Sequence, residues 1–137
     1  MIVLDTNVLS EMMKAEPNPQ VQIWLGQRGE EPLATTSVSV SEITYGLEKL
    51  PQGRRRADLI AAFDRLVDAV TVLPLETAAA IRAGQFRAIR EAAGHPSTAS
   101  DMLIAGIAAC ADAMLATRNI KDFTGLPLRV VDPWQAN

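Results

Sequence analysis

Sulfur, histidine and aromatic rings are scarce in this chain, and each scarcity removes a class of function. Cys110 is the only cysteine, so no internal disulfide forms and no thiol cluster exists for zinc. A reducing, cytoplasmic setting fits that usage. The single histidine, His95, lies between Gly94 and Pro96, where it reads as a solvated loop residue rather than a catalytic base. Aromatic residues make up 4% of the chain, which leaves Ala, Leu, Ile and Val to fill a core. Positive charge is not in surplus: Lys and Arg number 13 against 16 Asp and Glu, a formal net charge of −3. The pI near 5.1 argues against coating nucleic acid by bulk charge, since such domains usually lie above a pI of about 9. Long apolar runs are missing as well. The longest, residues 102–111, falls short of the roughly 20 residues a membrane helix needs. Asp5 interrupts the apolar start at once, and no basic n-region or cleavage site follows, so no targeting segment is expected.

What is present suffices for a core. Hydrophobic residues are 48% of 137, too many for a disordered chain, and the length fits one domain over residues 1–137. Periodicity then orders the elements. Ile2-Val3-Leu4 reads as a short buried strand, and Val8, Leu9, Met12 and Met13 recur at helical spacing behind it. Pro17-Asn18-Pro19 stops that helix. A short helix with Val21, Trp24 and Leu25 on one side follows, then a strand over 32–36 and a helix opened by Ser39. Beyond Pro51-Gln52-Gly53, Leu59, Ile60, Phe63, Leu66 and Val67 mark another helix. Strands are expected over 70–75, 113–116 and 128–131, with helices over 76–93 and 98–110. Strands alternating with helices predict an α/β fold, a three-layer α/β/α domain around a central, mainly parallel sheet.

Four acids stand out against this pattern. Asp5 closes the first strand, Glu42 is expected in the first turn of the helix after the second strand, Asp101 opens the apolar helix, and Asp122 lies in a turn after the strand that ends at Thr117. In a parallel sheet the carboxyl ends of the strands share one edge, where ligands bind. Acids from four elements would converge there. Mg²⁺ and Mn²⁺ are hard cations that take oxygen ligands. A structural reading competes at each position. Asp5 can cap its helix, Ser39-x-x-Glu42 and Thr98-x-x-Asp101 match a capping box, and Asp122 suits an ordinary turn.

Five stretches carry a family resemblance. They are Met1-Ile2-Val3-Leu4-Asp5-Thr6-Asn7-Val8-Leu9-Ser10-Glu11, Val38-Ser39-Val40-Ser41-Glu42-Ile43 with Tyr45-Gly46-Leu47, Ser100-Asp101-Met102-Leu103-Ile104-Ala105, Ala116-Thr117-Arg118-Asn119-Ile120-Lys121-Asp122-Phe123, and Val131-Asp132-Pro133-Trp134. In this order, over nearly the whole chain, they resemble the PIN-domain family and within it the VapC-type ribonuclease toxins of toxin–antitoxin pairs. The resemblance implies a Mg²⁺- or Mn²⁺-dependent endoribonuclease that leaves 5′-phosphate and 3′-hydroxyl ends. Asp5 and Asp101 match the main metal ligands, and Glu42 matches the third acid. Many relatives carry the fourth acid where this chain has Asn119, so either Asn119 or Asp122 fills that position. The resemblance also implies a cognate antitoxin that covers the pocket, and a homodimer.

An acidic ribonuclease needs local positive charge for phosphates. Arg118, beside the late acid-bearing turn, is the nearest candidate, with an ion pair to the carboxylates as its competing role. Lys121 is similarly placed. Arg82, Arg87 and Arg90 on one helix and Arg54-Arg55-Arg56 are further candidates, or simply solvated faces. The Val8–Met13 stripe fits either an interface or the core. Three other functions compete. A haloacid-dehalogenase-like phosphatase wants a second Asp where Asn7 stands. A Mg²⁺-binding signalling receiver wants an Asp at the end of the middle strand, which ends instead at Pro74-Leu75. A catalytically degenerate PIN module would bind a partner without cutting RNA.

Overall fold

The computed structural model describes residues 1–136. Five short strands, β1 (Ile2–Leu4), β2 (Leu33–Thr36), β3 (Thr71–Leu73), β4 (Met114–Ala116) and β5 (Val130–Val131), form one sheet in the order β3-β2-β1-β4-β5. Every pairing is parallel, with Ile2 opposite Leu33 on one side and Met114 on the other. The expected strands are all present; β1 spans the residues that suggested it, and the other four are shorter than theirs.

Six helices cover the two faces: α1 (Thr6–Met12), α2 (Pro19–Gly26), α3 (Ser37–Glu48), α4 (Arg54–Ala69), α5 (Thr77–Ala92) and α6 (Ala99–Cys110). Local chemistry sets their starts. The Asn18 side chain accepts from Gln20 N and Val21 N while Pro19 takes the first position of α2, where a missing N–H costs nothing. Thr36 caps α3 through Ser39 N at 3.0 Å, and Thr98 caps α6 through Asp101 N at 3.1 Å. Gly94, at φ 80°, follows the end of α5 with its N–H on Glu91 O; that left-handed backbone suits glycine.

Strand alternation divides the core into two. Val3 and Leu115 face α5 and α6, where Phe86, Met102, Ile104 and Ala105 pack. Ile2, Leu4 and Ala116 face α1 to α4, against Val8, Leu9, Trp24, Ile43 and Phe63. The three-layer reading therefore holds, and the Val8–Met13 stripe is core, since Val8, Leu9 and Met13 are all buried. The strand order reverses at β1: its neighbour β2 follows next in the chain, while β4 arrives on the opposite side much later. That reversal opens a crevice at the carboxyl ends of β1 and β4.

Candidate active site

Asp5 sits in that crevice as the N-cap of α1, with only 4% of its surface exposed. One carboxylate oxygen accepts from Thr6 N at 2.8 Å and the other from the Thr117 hydroxyl at 2.7 Å. Capping of α1 and a place in the cleft lining thus coincide in the same residue. Burial pushes its pKa up to about 6, against the lowering effect of the Thr117 and Thr6 hydrogen bonds and with repulsion from Asp101 and Glu42 adding to the rise. The fold holds a carboxylate where neither solvation nor its neighbours favour the charge.

Thr117, just past β4, is the hub of the site and had no assigned role in the sequence. While its hydroxyl donates to Asp5, it accepts from Asn7 Nδ2 at 3.2 Å and from Asn119 N at 3.2 Å. Asn7 in turn takes Arg118 N on its Oδ1 at 3.1 Å. Thr117 and Arg118 are therefore locked to the start of α1, and Asn119 is held to Thr117. Thr6 does the same for the opposite wall, its hydroxyl lying 2.9 Å from both Ser39 Oγ and Glu42 Oε1.

Glu42 corrects one expectation. Helix α3 begins at Ser37, so Glu42 lies in its second turn, and Ser39-x-x-Glu42 is not a capping box. Thr36, extended and next to a strand end, takes the cap instead. Asp101 is in the first turn of α6 as expected. Its pKa is raised, first by burial and then by Asp122, while the Thr98 hydroxyl and Arg90 oppose the rise.

The resulting cleft of about 460 Å³ is lined by Asp5, Glu42, Asp101, Asn119, Arg118 and Trp134, among others. Asn119 reaches it; Asp122, in the 3₁₀ turn Ile120–Phe123, is near enough for its charge to raise the pKa of Asp101 but does not line the cleft. Among the described residues no three carboxylates, histidines or cysteines draw close enough to form a closed metal cage. The donor set is nonetheless all oxygen, set in an open cleft, and such a set fits a hard cation that retains several waters.

The cationic candidates separate clearly. Arg118 lies on the rim with its guanidinium 5.0 Å from the Trp134 ring centre. Among the described residues it forms no ion pair with the acids, so the shielding role falls away. Arg90 is a correction: it is buried, donating to Ser97 Oγ, to Thr124 O at 2.6 Å and to Thr124 Oγ1 at 3.1 Å, which ties α5 to the loop after the 3₁₀ turn. It presents no charge beside Arg82 and Arg87. Those two are exposed but lie outside the cleft lining, with Arg87 paired to Glu91 at 3.2 Å and Arg82 laid over Phe86. Arg56 is spent on Glu48 at 2.7 Å, while Arg54 and Arg55 line a separate groove with Met12, Met13 and Lys14.

Glu11 was missed altogether. Burial opposes its charge, yet its pKa is lowered by Lys14, by the Asn18 N–H and by the charge of Arg118. Lys14 Nζ and Asn18 N each lie 3.0 Å from it. The signal available in the sequence was the i,i+3 pairing of Glu11 with Lys14. Among the described residues no helix is long and apolar enough to cross a membrane.

Comparison with known proteins places this geometry. The PIN domain family model matches residues 2–124. The VapC ribonuclease Y4jK of Sinorhizobium fredii is 33% identical over 98% of this chain and 99% of its own length. The tRNA(fMet)-specific endonuclease VapC of Shigella flexneri is 31% identical over 88% of each chain. A solved structure of FitAB bound to an IR36 DNA fragment superposes with a TM-score of 0.90 at 28% identity, covering 100% of this chain and 98% of the other. With the strand order, the acid-lined switch point and a family match over most of its length, the chain belongs to the PIN domain family.

Proposed function

We propose that this cleft hydrolyses RNA phosphodiester bonds and that the protein is the toxin of a type II toxin–antitoxin pair, held inactive by a cognate antitoxin. The observation that carries the reading is the convergence of Asp5, Glu42 and Asp101, from three separate elements, on the crevice where the strand order reverses. The relatives support the assignment: one is named a ribonuclease and another a tRNA endonuclease. A homodimer is the assembly proposed, as in VapC-type proteins.

The oxygen donors fit Mg²⁺ or Mn²⁺, with Asp5 and Asp101 as the residues to hold it. A divalent ion there supplies charge neutralisation at the scissile phosphate and lowers the pKa of water. The chain's own residues do the rest. Thr117 and Thr6 fix both oxygens of Asp5, and Thr6 also aims Glu42 into the cleft, where Glu42 orients the attacking water and takes its proton. Asn119 offers a neutral oxygen at the fourth position, and Asp122 acts through Asp101. Water attacks phosphorus in line as the P–O3′ bond breaks, so the 3′ oxygen leaves as a hydroxyl and the phosphate stays on the 5′ end. Arg118 is the phosphate-facing cation; Arg82 and Arg87 lie further out on α5.

The test is cleavage of a mixed tRNA and rRNA pool by antitoxin-free protein with Mg²⁺, with Mn²⁺ and with EDTA. Discrete fragments that require the ion and vanish in Asp5→Asn are expected. A folded protein that binds Mn²⁺ but cuts no RNA would instead be a degenerate PIN module.

A further inference from the structure

The rim of the cleft opposite the acids carries a feature that phosphate attraction alone does not require. Arg118 is exposed, yet it is held at two points. Its backbone N–H is held by Asn7 Oδ1 at 3.1 Å, and its guanidinium lies 5.0 Å over the Trp134 ring. Trp134 is itself anchored, its backbone N–H donating to Asp132 Oδ1 at 2.8 Å, and its side chain packs against the core cluster that includes Val8 and Leu9 of α1. An arginine can pair with phosphate and also stack on aromatic faces, whereas a lysine offers only a compact, strongly hydrated charge. A guanidinium lying over an indole, on an exposed residue that lines the cleft, offers a stacking surface. Unstacked bases lie on Arg planes and on aromatic rings in single-stranded recognition.

We propose that Arg118, laid on Trp134, is a platform for one unpaired nucleobase of the RNA, continuing the order indole, guanidinium, base. Stacking at this rim places the sugar-phosphate next to that base over Asp5, Glu42 and Asp101. Trp134 is then a positioning residue acting through Arg118. The inference rests on the ribonuclease reading and adds to it a one-base specificity element.

The experiment measures binding, not turnover. Short unpaired RNAs, each with one abasic position, are titrated against full-length Asp5→Asn protein by fluorescence anisotropy, beside the same protein carrying Arg118→Lys or Trp134→Leu. The expected result is one position where losing the base weakens binding about tenfold, with no further loss in either double variant. Arg118→Lys keeps the charge, so the salt dependence of binding should persist while the base dependence disappears. Equal base dependence with Arg and Lys, or no sensitive position at all, overturns the platform. Wild-type cleavage of the intact RNA reports separately on the ribonuclease reading: cleavage without base dependence at Arg118 leaves that reading standing and removes only this one. Melting curves confirm that Trp134→Leu is folded, and Arg118→Lys, at an exposed position, carries the test by itself if it is not.

Discussion

At the scale of single residues, Thr117 does more than any acid to define the site, because one hydroxyl serves Asp5, Asn7 and Asn119. Thr117→Val keeps the shape and removes the donor, leaving Asp5 short of a partner. The expected cost is about 1–3 kcal/mol of stability and roughly a 10–100-fold loss in cleavage, while Thr117→Ser stays near wild type. Denaturant curves and initial rates on the two variants check both parts. Asp5 itself makes stability depend on pH. Its folded pKa, raised by burial from 3.8 to about 6, means the folded state binds the proton more tightly than the unfolded chain. The resulting stabilisation is complete below about pH 3.8 and is lost as pH rises through about 6. In EDTA, wild type should therefore lose up to about 3 kcal/mol relative to Asp5→Asn between about pH 4 and pH 7.5. A wild type that gains on the variant over that window would contradict the burial argument.

At the scale of elements, the packing of α5 on α6 sets where Asp101 points, and its closest point is Gly106. A Cβ there would stand 2.5 Å from Ala79 O and 2.9 Å from Ala83 N, both backbone atoms that cannot turn aside. Alanine normally improves a helix interior by about 1 kcal/mol; here Gly106→Ala is expected to cost about 1–3 kcal/mol and to lower the melting temperature. A rise in melting temperature would show that α5 and α6 have slack. The same helix pair shows what the sequence made legible and what it did not. Ala79, Ala83, Phe86 and Arg90 follow each other at helical spacing and are all buried, so Arg90 occupies the core stripe. Grouping it with Arg82 and Arg87 by charge overlooked that spacing. Its guanidinium is buried because Ser97 and Thr124 lie where they can receive it, and Thr124 lies 34 positions on, in a separate loop. Thr98-x-x-Asp101 was legible because a cap is local. Ser39-x-x-Glu42 misled because Thr36, at a strand end, competes for the same N–H and wins.

At the scale of the molecule, the alternation of strands and helices was enough to read the layers, and short acid-bearing motifs were enough to find the site's edge. What alternation does not specify is which strand neighbours β1 on its far side. Pairing with β4 brings Thr117 against Asp5 across 112 positions of chain, a contact with no local signal. The same closure gathers like charges in a protein already at −3. Two carboxylates about 4 Å apart repel by about 4 kcal/mol at an effective dielectric of 20, and the raised pKa values of Asp5 and Asp101 reflect burial and such neighbours acting together. A cation that binds only the folded arrangement must then stabilise it by mass action. At a free concentration about 100 times its dissociation constant, Mn²⁺ or Mg²⁺ should add about 2.7 kcal/mol, a rise of roughly 10 °C for a chain of this size. Asp5→Asn should abolish most of that rise while melting higher than wild type in EDTA at neutral pH. Asp122→Asn should retain most of it, because Asp122 lies outside the cleft lining. If Ca²⁺, larger and more weakly polarising, matched Mn²⁺ in stabilisation but supported no cleavage, the cleft's charge would account for binding, and the smaller ion's chemistry for the cut.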